Sequence, residues 1–269
     1  METLIMYFSN VNLIKMLFKD PELFWHYIFK SGKITAFKKF HPTTTVMTRT
    51  EYAGRELLSI EKANVYLAKK INERSPFMAA RIGGTEMGCM TNTILQNQGY
   101  IKSIDFNAYE KGNHANGLFP LNQSTFNGFN SIMNSATEEC DLVGAVYWIL
   151  EEYHFKKHLY DGAVISHVRV FDFWRFEHPW TGALKGKKVL VIHPFEETIR
   201  SQYQKRAHLF ANPEMLPEFQ LYTIKAVQTI AGQKDDRFAN WFEALDYMYD
   251  EAMRIDFDVA LIGCGAYGY

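Results

Sequence analysis

A glycine pair flanked by an arginine and a glutamate gives the first indication of chemistry in this chain. In the stretch FMAARIGGTEMGCM, residues 77–90, a short apolar run ends near Arg81, and Gly83 and Gly84 then lead into a segment with helical character that contains Glu86. Glycines let backbone amides approach a ligand, and a helix N-terminus adds positive potential. Because arginine suits phosphate and a carboxylate suits a metal or a sugar hydroxyl, the stretch predicts a site for a phosphorylated ligand.

The same residues also fit an ordinary helix start. Thr85 is a capping residue by type, and Glu86 in the first turn of a helix is favourable without any ligand. The pattern alone leaves both interpretations open.

A second polar group follows a strongly apolar run. The run VLVI, residues 189–192, stops at His193, and Glu196 lies where the next helix should begin. Open α/β sheets bind ligands at the carboxyl ends of their strands, so His193 is a candidate acid, base or ligand-orienting residue. A histidine that only caps the strand or bonds a backbone carbonyl is the alternative.

Two glycine-containing segments could also contribute to a site. The segment NHANGLFP begins at Asn113 and is loop-like, and a loop beside a glycine turn is a natural place to hold a ligand, although its Asn and Gly residues could equally be turn formers. Near Tyr269, Gly263, Gly265 and Gly268 match the dinucleotide pattern GxGxxG. Neither the helix nor the acidic residue about 20 positions on that completes such a site follows. We therefore expect no NAD. We also expect that the chain is cut before its final helix, either because the native reading frame once continued or because this sequence is a shortened form.

Composition excludes several classes of protein. The chain has 269 residues, of which 47% are hydrophobic, and a formal net charge of −1. It can bury a sizeable core, and it lacks the basic field expected of a nucleic-acid partner. The three cysteines are far apart and without metal-ligand spacing, which fits a reducing compartment. With no apolar run of membrane-spanning length and no secretory signal, the chain is expected to be cytoplasmic.

The N-terminal segment differs from the rest. Residues 1–41 predict one or two amphipathic helices that break near Asp20 and Pro21. Their lysines and aromatic residues could lie on an anionic membrane surface, although such helices more often pack on the domain or on another subunit. A threonine-rich linker follows. We therefore divide the chain into an N-terminal extension, residues 1–50, and one domain, residues 51–269.

Helical and strand-like patterns alternate along the domain. Leu57 and later apolar residues predict a helix within 51–73, and further helices are predicted at 86–96, 195–210 and 238–254. Strands are predicted at 77–82, 141–147, 163–170, 189–192, 219–224 and 257–262. This alternation indicates an α/β fold with a mostly parallel sheet and flanking helices. In the last helix the residues expected to face the core are Phe238, Trp241, Leu245, Met248 and Met253.

One polar and aromatic group resembles a sugar or base platform by residue type, although a half-buried amphipathic helix would have a similar composition. It consists of His167, Arg169, Asp172, Trp174 and Arg175.

Several segments together resemble the bacterial GT-D type glycosyltransferases, a family first catalogued as a domain of unknown function. The segments are RIGGTE (81–86), NGLFP (116–120), GKKVLVIHPFEETIRSQY (186–203), LPEF (216–219) and DFDVALIGCGAYG (256–268). The resemblance runs from about Pro76 onward. It implies a Rossmann-like fold and a UDP-sugar donor, with a surface polysaccharide or a protein-linked glycan as acceptor. It also implies a family pattern that continues past the last residues of this chain.

The resemblance also assigns roles to residues. Its signature is an arginine, a glycine and an Asp-x-Glu pair that meets metal and diphosphate; Arg81, Gly83 and Glu86 match, whereas Gly84 occupies the aspartate position. Binding of Mn²⁺ or Mg²⁺ would then rely on Glu86, which is the one carboxylate of that motif present in this chain. The donor-binding residues expected are Arg81, Gly83, Gly84, Thr85, Asn113, Gly263 and Gly265.

The expected reaction is transfer of a glycosyl group to an acceptor hydroxyl. Arg81 and the turn amides would hold the diphosphate leaving group, and Glu86 would bind the metal or a sugar hydroxyl. His193 or Glu196 would orient the acceptor or act as base. The alternatives are an inactive, shortened relative that only binds ligands, and a nucleotide-dependent oxidoreductase, against which the incomplete GxGxxG pattern argues.

Overall fold

The computed structural model describes residues 11–31, 49–112, 117–230, 233 and 235–269. The α-helices are α1 Leu13–Lys19, α2 Pro21–Ser31, α3 Ile60–Glu73, α4 Gly84–Asn97, α5 Phe106–Gly112, α6 Gln123–Glu138, α7 Glu151–His158, α8 Glu196–Tyr203 and α9 Trp241–Met253. The strands are β1 Glu51–Tyr52, β2 Arg55–Leu58, β3 Ala79–Ala80, β4 Leu142–Ala145, β5 Val164–His167, β6 Lys188–His193, β7 Gln220–Lys225 and β8 Val259–Ile262. Short 3₁₀ turns lie at Val168–Phe171, Phe173–Arg175, Trp180–Leu184, Arg206–His208 and Gly265–Tyr267.

The strands form two sheets. The first has five strands in the order β1-β2-β5-β4-β3, and only the β1–β2 pair is antiparallel. The second has three parallel strands in the order β7-β6-β8, with β6 in the centre. The expected α/β class is therefore confirmed, but the strands are divided between a mixed sheet and a parallel sheet instead of forming one.

One apolar cluster joins the two sheets. It contains Val143 and Ile165 from the first sheet and Ile192 and Ile224 from the second. In the second sheet, Ile192 and Ile224 alternate with more exposed neighbours because successive side chains point to opposite faces, whereas all four residues of β4 are buried. The carboxyl ends of parallel strands in both sheets adjoin this core, and these ends carry the candidate site residues.

Aromatic side chains fill the space between α6, α9 and the last 3₁₀ turn. Trp241 is 1% exposed, its ring centroid lies 5.4 Å from that of Phe129, and it stacks on Tyr267 at 5.3 Å. The backbone amide of Trp241 also donates to the carbonyl of Phe119 at 2.8 Å. The end of the GxGxxG-like segment is thus packed against the core as a 3₁₀ turn.

The N-terminal helices pack on the domain. They break at Asp20, as predicted, and the Asp20 carboxylate accepts from the Leu23 amide at 2.9 Å and from the Tyr153 hydroxyl at 2.9 Å. Leu23 and Tyr27 are fully buried. The interpretation that these helices pack on the domain is therefore confirmed for residues 11–31. None of the helices in the described ranges combines the length and the apolar character needed to cross a bilayer.

The predicted helix over 51–73 is wrong in its first part. Residues Glu51–Leu58 form a hairpin, closed by Ala53 at φ +53° and Gly54 at φ +75°. A two-residue turn with positive φ at both positions matches the right-handed twist of the two strands that it connects. Leu57 consequently lies in β2 and pairs with Ile165 of β5. The helix α3 begins after Ser59, whose hydroxyl accepts from the Lys62 amide at 3.3 Å.

Other boundaries differ in detail. The predicted strand over 77–82 is regular only at Ala79–Ala80. In α9, Trp241 and Met248 are buried as expected, but Met253 is 63% exposed in the last turn.

A buried polar chain connects α6 with α7. The Thr137 hydroxyl donates to the Met133 carbonyl at 2.7 Å and lies 2.8 Å from His154 Nε2 and 3.0 Å from the Tyr269 hydroxyl. Because the single hydroxyl proton of Thr137 is donated to the Met133 carbonyl, Nε2 of His154 donates its proton to the Thr137 oxygen. Burial, with a smaller contribution from His158, lowers the pKa of His154 to about 3.

Replacing Trp241 by alanine should lower the free energy of unfolding by about 3–5 kcal/mol, because a large buried ring leaves a cavity. Tyr249→Ala on the same helix is the control; Tyr249 is 61% exposed, and its loss should change stability by only about 0.5 kcal/mol. Urea unfolding followed by circular dichroism measures both. Equal losses in the two variants would contradict the packing described here.

His154 should make the protein less stable at mildly acidic pH. The folded-state pKa of His154 is lowered from 6.5 to about 3, so below pH 6.5 the unfolded chain binds more protons than the folded one. The free energy of unfolding should fall as pH falls, by up to roughly 1.4 kcal/mol per pH unit from this group. Urea titrations between about pH 7 and pH 5 should give a shallower pH slope for His154→Gln. His208→Gln, at an exposed site, should keep the wild-type slope.

Candidate functional site

The turn between β3 and α4 is built by alternation of buried and exposed residues. Ile82 is fully buried, which directs the preceding Arg81 outward, and Arg81 is exposed. Gly83 is the N-cap residue at φ −74° and ψ 162°, and it has no side chain with which to cap the helix. The 14-residue helix α4 then begins at Gly84. The strand, turn and helix start expected from the sequence are therefore present.

The first turn of α4 presents unpaired amides. The Met87 amide donates to the Gly83 carbonyl at 2.9 Å, which is the first helical hydrogen bond. The amides of Gly84, Thr85 and Glu86 have no acceptor within the described part of the chain. Free N–H groups and the helix dipole make such an N-terminus attractive to an anion.

Thr85 does not cap the helix. Its hydroxyl donates to Glu86 Oε2 at 3.1 Å, and both residues lie in the first turn. The interpretation of Thr85 as the capping residue is therefore wrong, and the expected place of Glu86 in the first turn is confirmed.

The Glu86 carboxylate folds back over the glycine turn. Glu86 is 7% exposed, and a Cβ atom added to Gly83 would lie 2.1 Å from its Oε2. A side chain at position 83 would therefore displace the carboxylate. The absence of a side chain at Gly83 is what lets Glu86 lie beside the free amides.

Trp148 occupies the space next to Gly84. A Cβ atom added to Gly84 would lie 2.6 Å from Cε2 and Cζ2 of the Trp148 ring. The indole N–H of Trp148 is buried and has no acceptor among the described residues. Trp148 follows β4, the strand next to β3, and its ring leaves no room for a side chain at position 84.

A buried carboxylate holds the segment that carries Trp148. Glu151 is fully buried and accepts from the Val146 amide at 3.1 Å, from the Tyr147 amide at 2.6 Å and from the Tyr52 hydroxyl at 2.9 Å. Tyr147 has φ +66°, a left-handed conformation that is uncommon for a residue with a side chain. These hydrogen bonds stabilise the turn and so position the Trp148 ring.

Arg81 is available to a ligand. No hydrogen bond or ion pair joins its guanidinium to any residue in the ranges the structure describes. Among the residues expected at the β3–α4 turn, Arg81 is the one with a cationic side chain.

The described residues do not form a metal site by themselves. They contain no group of three or more His, Cys, Asp and Glu side chains that could hold a metal ion. At the α4 turn Glu86 is one carboxylate, and the Trp148 ring excludes a second at position 84. Glu86 is thus the carboxylate that this turn offers to a Mn²⁺ or Mg²⁺ ion, and the proposed reaction assigns no step to a metal.

His193 lies at the carboxyl end of the second sheet. Its Nδ1 accepts from the Phe195 amide at 3.0 Å, so Nε2 carries the proton of the neutral ring. A Cβ atom added to Gly263 would lie 2.9 Å from His193 Cδ2, which brings these two predicted residues together. The bond to the Phe195 amide is a local turn interaction; Nε2 is the atom of His193 that can meet a ligand.

Glu196 is held in a small polar network. It pairs with Arg200, accepts from the Thr223 hydroxyl at 2.8 Å, and exposes only 13% of its side chain. Arg200 also donates to the Thr223 hydroxyl at 2.8 Å. Glu196 therefore faces β7 at the same sheet edge as His193.

The predicted residues thus form two groups. Arg81, Gly83, Gly84, Thr85 and Glu86 belong to the β3–α4 turn, whereas His193, Glu196 and Gly263 belong to the carboxyl edge of the second sheet. Within the described ranges, no hydrogen bond or ion pair joins the two groups.

The remaining predicted residues lie apart or outside. Gly265 begins the 3₁₀ turn at φ +62°, and Asn113 lies outside the described residues. In the platform group, His167 Nδ1 accepts from the Arg169 amide at 3.0 Å, and its ring lies 5.6 Å from Tyr147. Burial lowers the pKa of His167, and the Arg169 charge adds to this effect.

Sequence reasoning missed Trp148 and Glu151. Both follow β4, whose carboxyl end adjoins that of β3, so the strand order alone could have drawn attention to them.

Comparison of the chain with protein-family models, curated proteins and solved structures finds no match.

The contact between Gly84 and Trp148 predicts opposite effects of the same substitution on one helix. Gly84→Ala should lower the free energy of unfolding by about 1–3 kcal/mol, because the added methyl group forces the Trp148 ring to move. At Gly88 an added Cβ would meet only the Tyr109 hydroxyl at 4.0 Å. Gly88→Ala should therefore stabilise by about 0.5–1 kcal/mol, since alanine favours the helix.

Chemical denaturation of the two variants tests this contrast. In a Trp148→Ala background the penalty of Gly84→Ala should disappear. A stabilising Gly84→Ala in the otherwise wild-type chain would show that the ring does not limit position 84.

Proposed function

We propose that this chain is a glycosyltransferase that moves a sugar from a UDP-sugar donor to a hydroxyl of a surface polysaccharide or glycoprotein glycan. The observation that carries the proposal is the uncapped start of α4, where the amides of Gly84, Thr85 and Glu86 are free, together with the exposed Arg81 that precedes Gly84 by three positions. A nucleoside diphosphate is an anion of the kind that such a turn binds. The resemblance of residues 81–86, 116–120, 186–203, 216–219 and 256–268 to the Rossmann-like GT-D type glycosyltransferases favours this activity over other reactions of nucleotides.

In the proposed reaction the acceptor oxygen attacks the anomeric carbon of the sugar. The bond from that carbon to the diphosphate breaks, and UDP leaves with the electron pair. Arg81 and the α4 amides stabilise the charge that develops on the leaving group, which is where stabilisation lowers the barrier. The Glu86 carboxylate accepts a hydrogen bond from a sugar hydroxyl.

The proton of the acceptor hydroxyl needs a base. Between the two expected candidates, Glu196 is already engaged with Arg200 and Thr223, whereas Nε2 of His193 has no hydrogen-bond partner in the described part of the chain. A neutral histidine accepts a proton through its unprotonated nitrogen, so His193 requires the tautomer with the proton on Nδ1 and loss of the Phe195 amide contact. His193 is the base we propose, with Glu196 as the residue that orients the acceptor.

A peripheral position on the inner membrane face, in the cytoplasm, is part of the proposal. Ile14 and Phe18 are 74% and 81% exposed on one side of α1, and Lys19 lies at its last turn. An apolar stripe beside a lysine suits an anionic lipid surface. Of the other lysines that motivated this expectation, Lys15 donates to the Gly99 carbonyl at 2.8 Å and Lys30 belongs to α2. Lys33, Lys38 and Lys39 lie outside the described residues.

A ligand-binding protein without turnover is the second candidate. The Trp148 ring against Gly84 favours it, because this ring excludes the carboxylate that the family motif would place there. Such a protein would bind UDP-sugars at the α4 turn and release no UDP.

Thermal-shift measurements with UDP, UDP-sugars and NAD, each with and without Mn²⁺, test the donor site. A ligand at 100 times its dissociation constant should stabilise the folded chain by about 2.7 kcal/mol. Arg81→Gln should weaken UDP binding by roughly 10- to 100-fold, because charge-assisted hydrogen bonds contribute about 1.5–3 kcal/mol. UDP release from UDP-sugars then separates the transferase from the binding protein.

The matched control is Arg254→Gln. Arg254 is an exposed arginine at the end of α9 that pairs with Glu251, and its loss should leave the UDP shift unchanged. A shift with NAD but none with UDP compounds would contradict the proposal and favour the oxidoreductase alternative.

A further inference from the structure

A polar cavity lies at the carboxyl edge of the second sheet. Its volume is about 430 Å³, within the range of small-molecule sites. The lining residues that matter here are Glu196, Thr223, Lys225, Asp235, Arg237 and Tyr247. None of the α4-turn residues lines this cavity, so it is distinct from the proposed donor site. Its place outside the carboxyl ends of parallel strands is where open α/β sheets bind ligands.

Lys225 is the cation of the cavity that no carboxylate neutralises. The cavity carboxylates each have an arginine: Glu196 pairs with Arg200, Asp235 with Arg237 and Glu251 with Arg254. Lys225 is exposed at the end of β7, and within the described ranges no carboxylate lies at ion-pair distance from it. An acidic group on a ligand would complete this pairing.

The other lining groups suit hydroxyls. Arg237 donates to both oxygens of Asp235, at 2.9 Å and 2.7 Å, so the carboxylate is held in place but keeps lone pairs. The Arg237 guanidinium also lies 5.1 Å from the Tyr247 ring, which holds the pair against α9. Glu196 is fixed in the same manner by Arg200 and Thr223. Fixed carboxylates with spare lone pairs accept hydrogen bonds from the hydroxyls of a polyol.

We infer that this cavity binds a monosaccharide that carries an acidic group, either a carboxylate or a phosphate. Lys225 binds the acidic group, and Glu196 and Asp235 accept hydrogen bonds from the ring hydroxyls. The cavity shares Glu196 with the proposed acceptor site, but the inference is carried by the lining of the cavity alone and requires no transferase activity.

Isothermal titration calorimetry of the full chain tests the inference with defined probes: glucuronate, glucose 6-phosphate, glucose and inorganic phosphate. At least one of the two acidic sugars should bind about tenfold or more tightly than glucose and than inorganic phosphate. Only an acidic sugar can contact Lys225 through its acidic group and Glu196 and Asp235 through its hydroxyls. The tighter of the two identifies the acidic group. Lys225→Gln should reduce the affinity for that acidic sugar to the level of glucose.

Glu196→Gln should weaken binding of the acidic sugar by about tenfold, because the neutral amide is a weaker acceptor for hydroxyls. The control is Lys62→Gln, which removes the same charge from an exposed position on α3, beside the first sheet, and should bind like the wild type. Circular dichroism melting confirms that each variant is folded.

Three results would overturn the inference. They are the absence of binding by either acidic sugar, equal binding of glucose or of inorganic phosphate, and full affinity retained in Lys225→Gln. None of them bears on UDP binding at the α4 turn, so failure here and failure of the proposed function are distinguishable.

Discussion

The candidate donor site depends on one buried carboxylate. Glu151 has no exposed surface, yet it accepts hydrogen bonds from two consecutive amides and from the Tyr52 hydroxyl. A buried charge is costly unless it is hydrogen-bonded, and here those bonds hold Tyr147 in a left-handed conformation. The chain is thereby turned so that Trp148 covers Gly84. The position of Trp148 beside the α4 turn therefore depends on Glu151, a residue that does not itself belong to the turn.

The α/β class could be predicted from the sequence, because apolar runs and helical periodicity are local properties. The pairing of strands is not local. β2 joins β5, which is more than a hundred positions away along the chain, and nothing in either segment specifies that partner. The division into two sheets was missed for this reason. The hairpin at Glu51–Leu58 was missed because its strands are short and contain charged residues, and because Leu57 continues the helical spacing of the apolar residues that follow.

The predictable part of the candidate site is also the local part. Gly83, Glu86 and the start of α4 are contiguous in sequence, and a strand, a turn and a helix were expected there. Trp148 reaches the turn from a neighbouring strand, so no spacing rule reveals it. The same holds for the cavity of the second sheet, which Lys225 at the end of β7 and Arg237 in the segment before α9 both line. Residues that act across elements need the strand order before they can be recognised.

The contact between Gly84 and Trp148 restricts the order in which this chain could change during evolution. An aspartate at position 84 would enter a space that the indole ring fills, so that replacement would be harmful while tryptophan remains at 148. A smaller residue would have to replace Trp148 before an aspartate could appear at position 84, and that replacement would leave a cavity beside α4. Positions 84 and 148 are thus expected to be epistatic. Any lineage that carries a carboxylate at 84 is expected to have released position 148 beforehand.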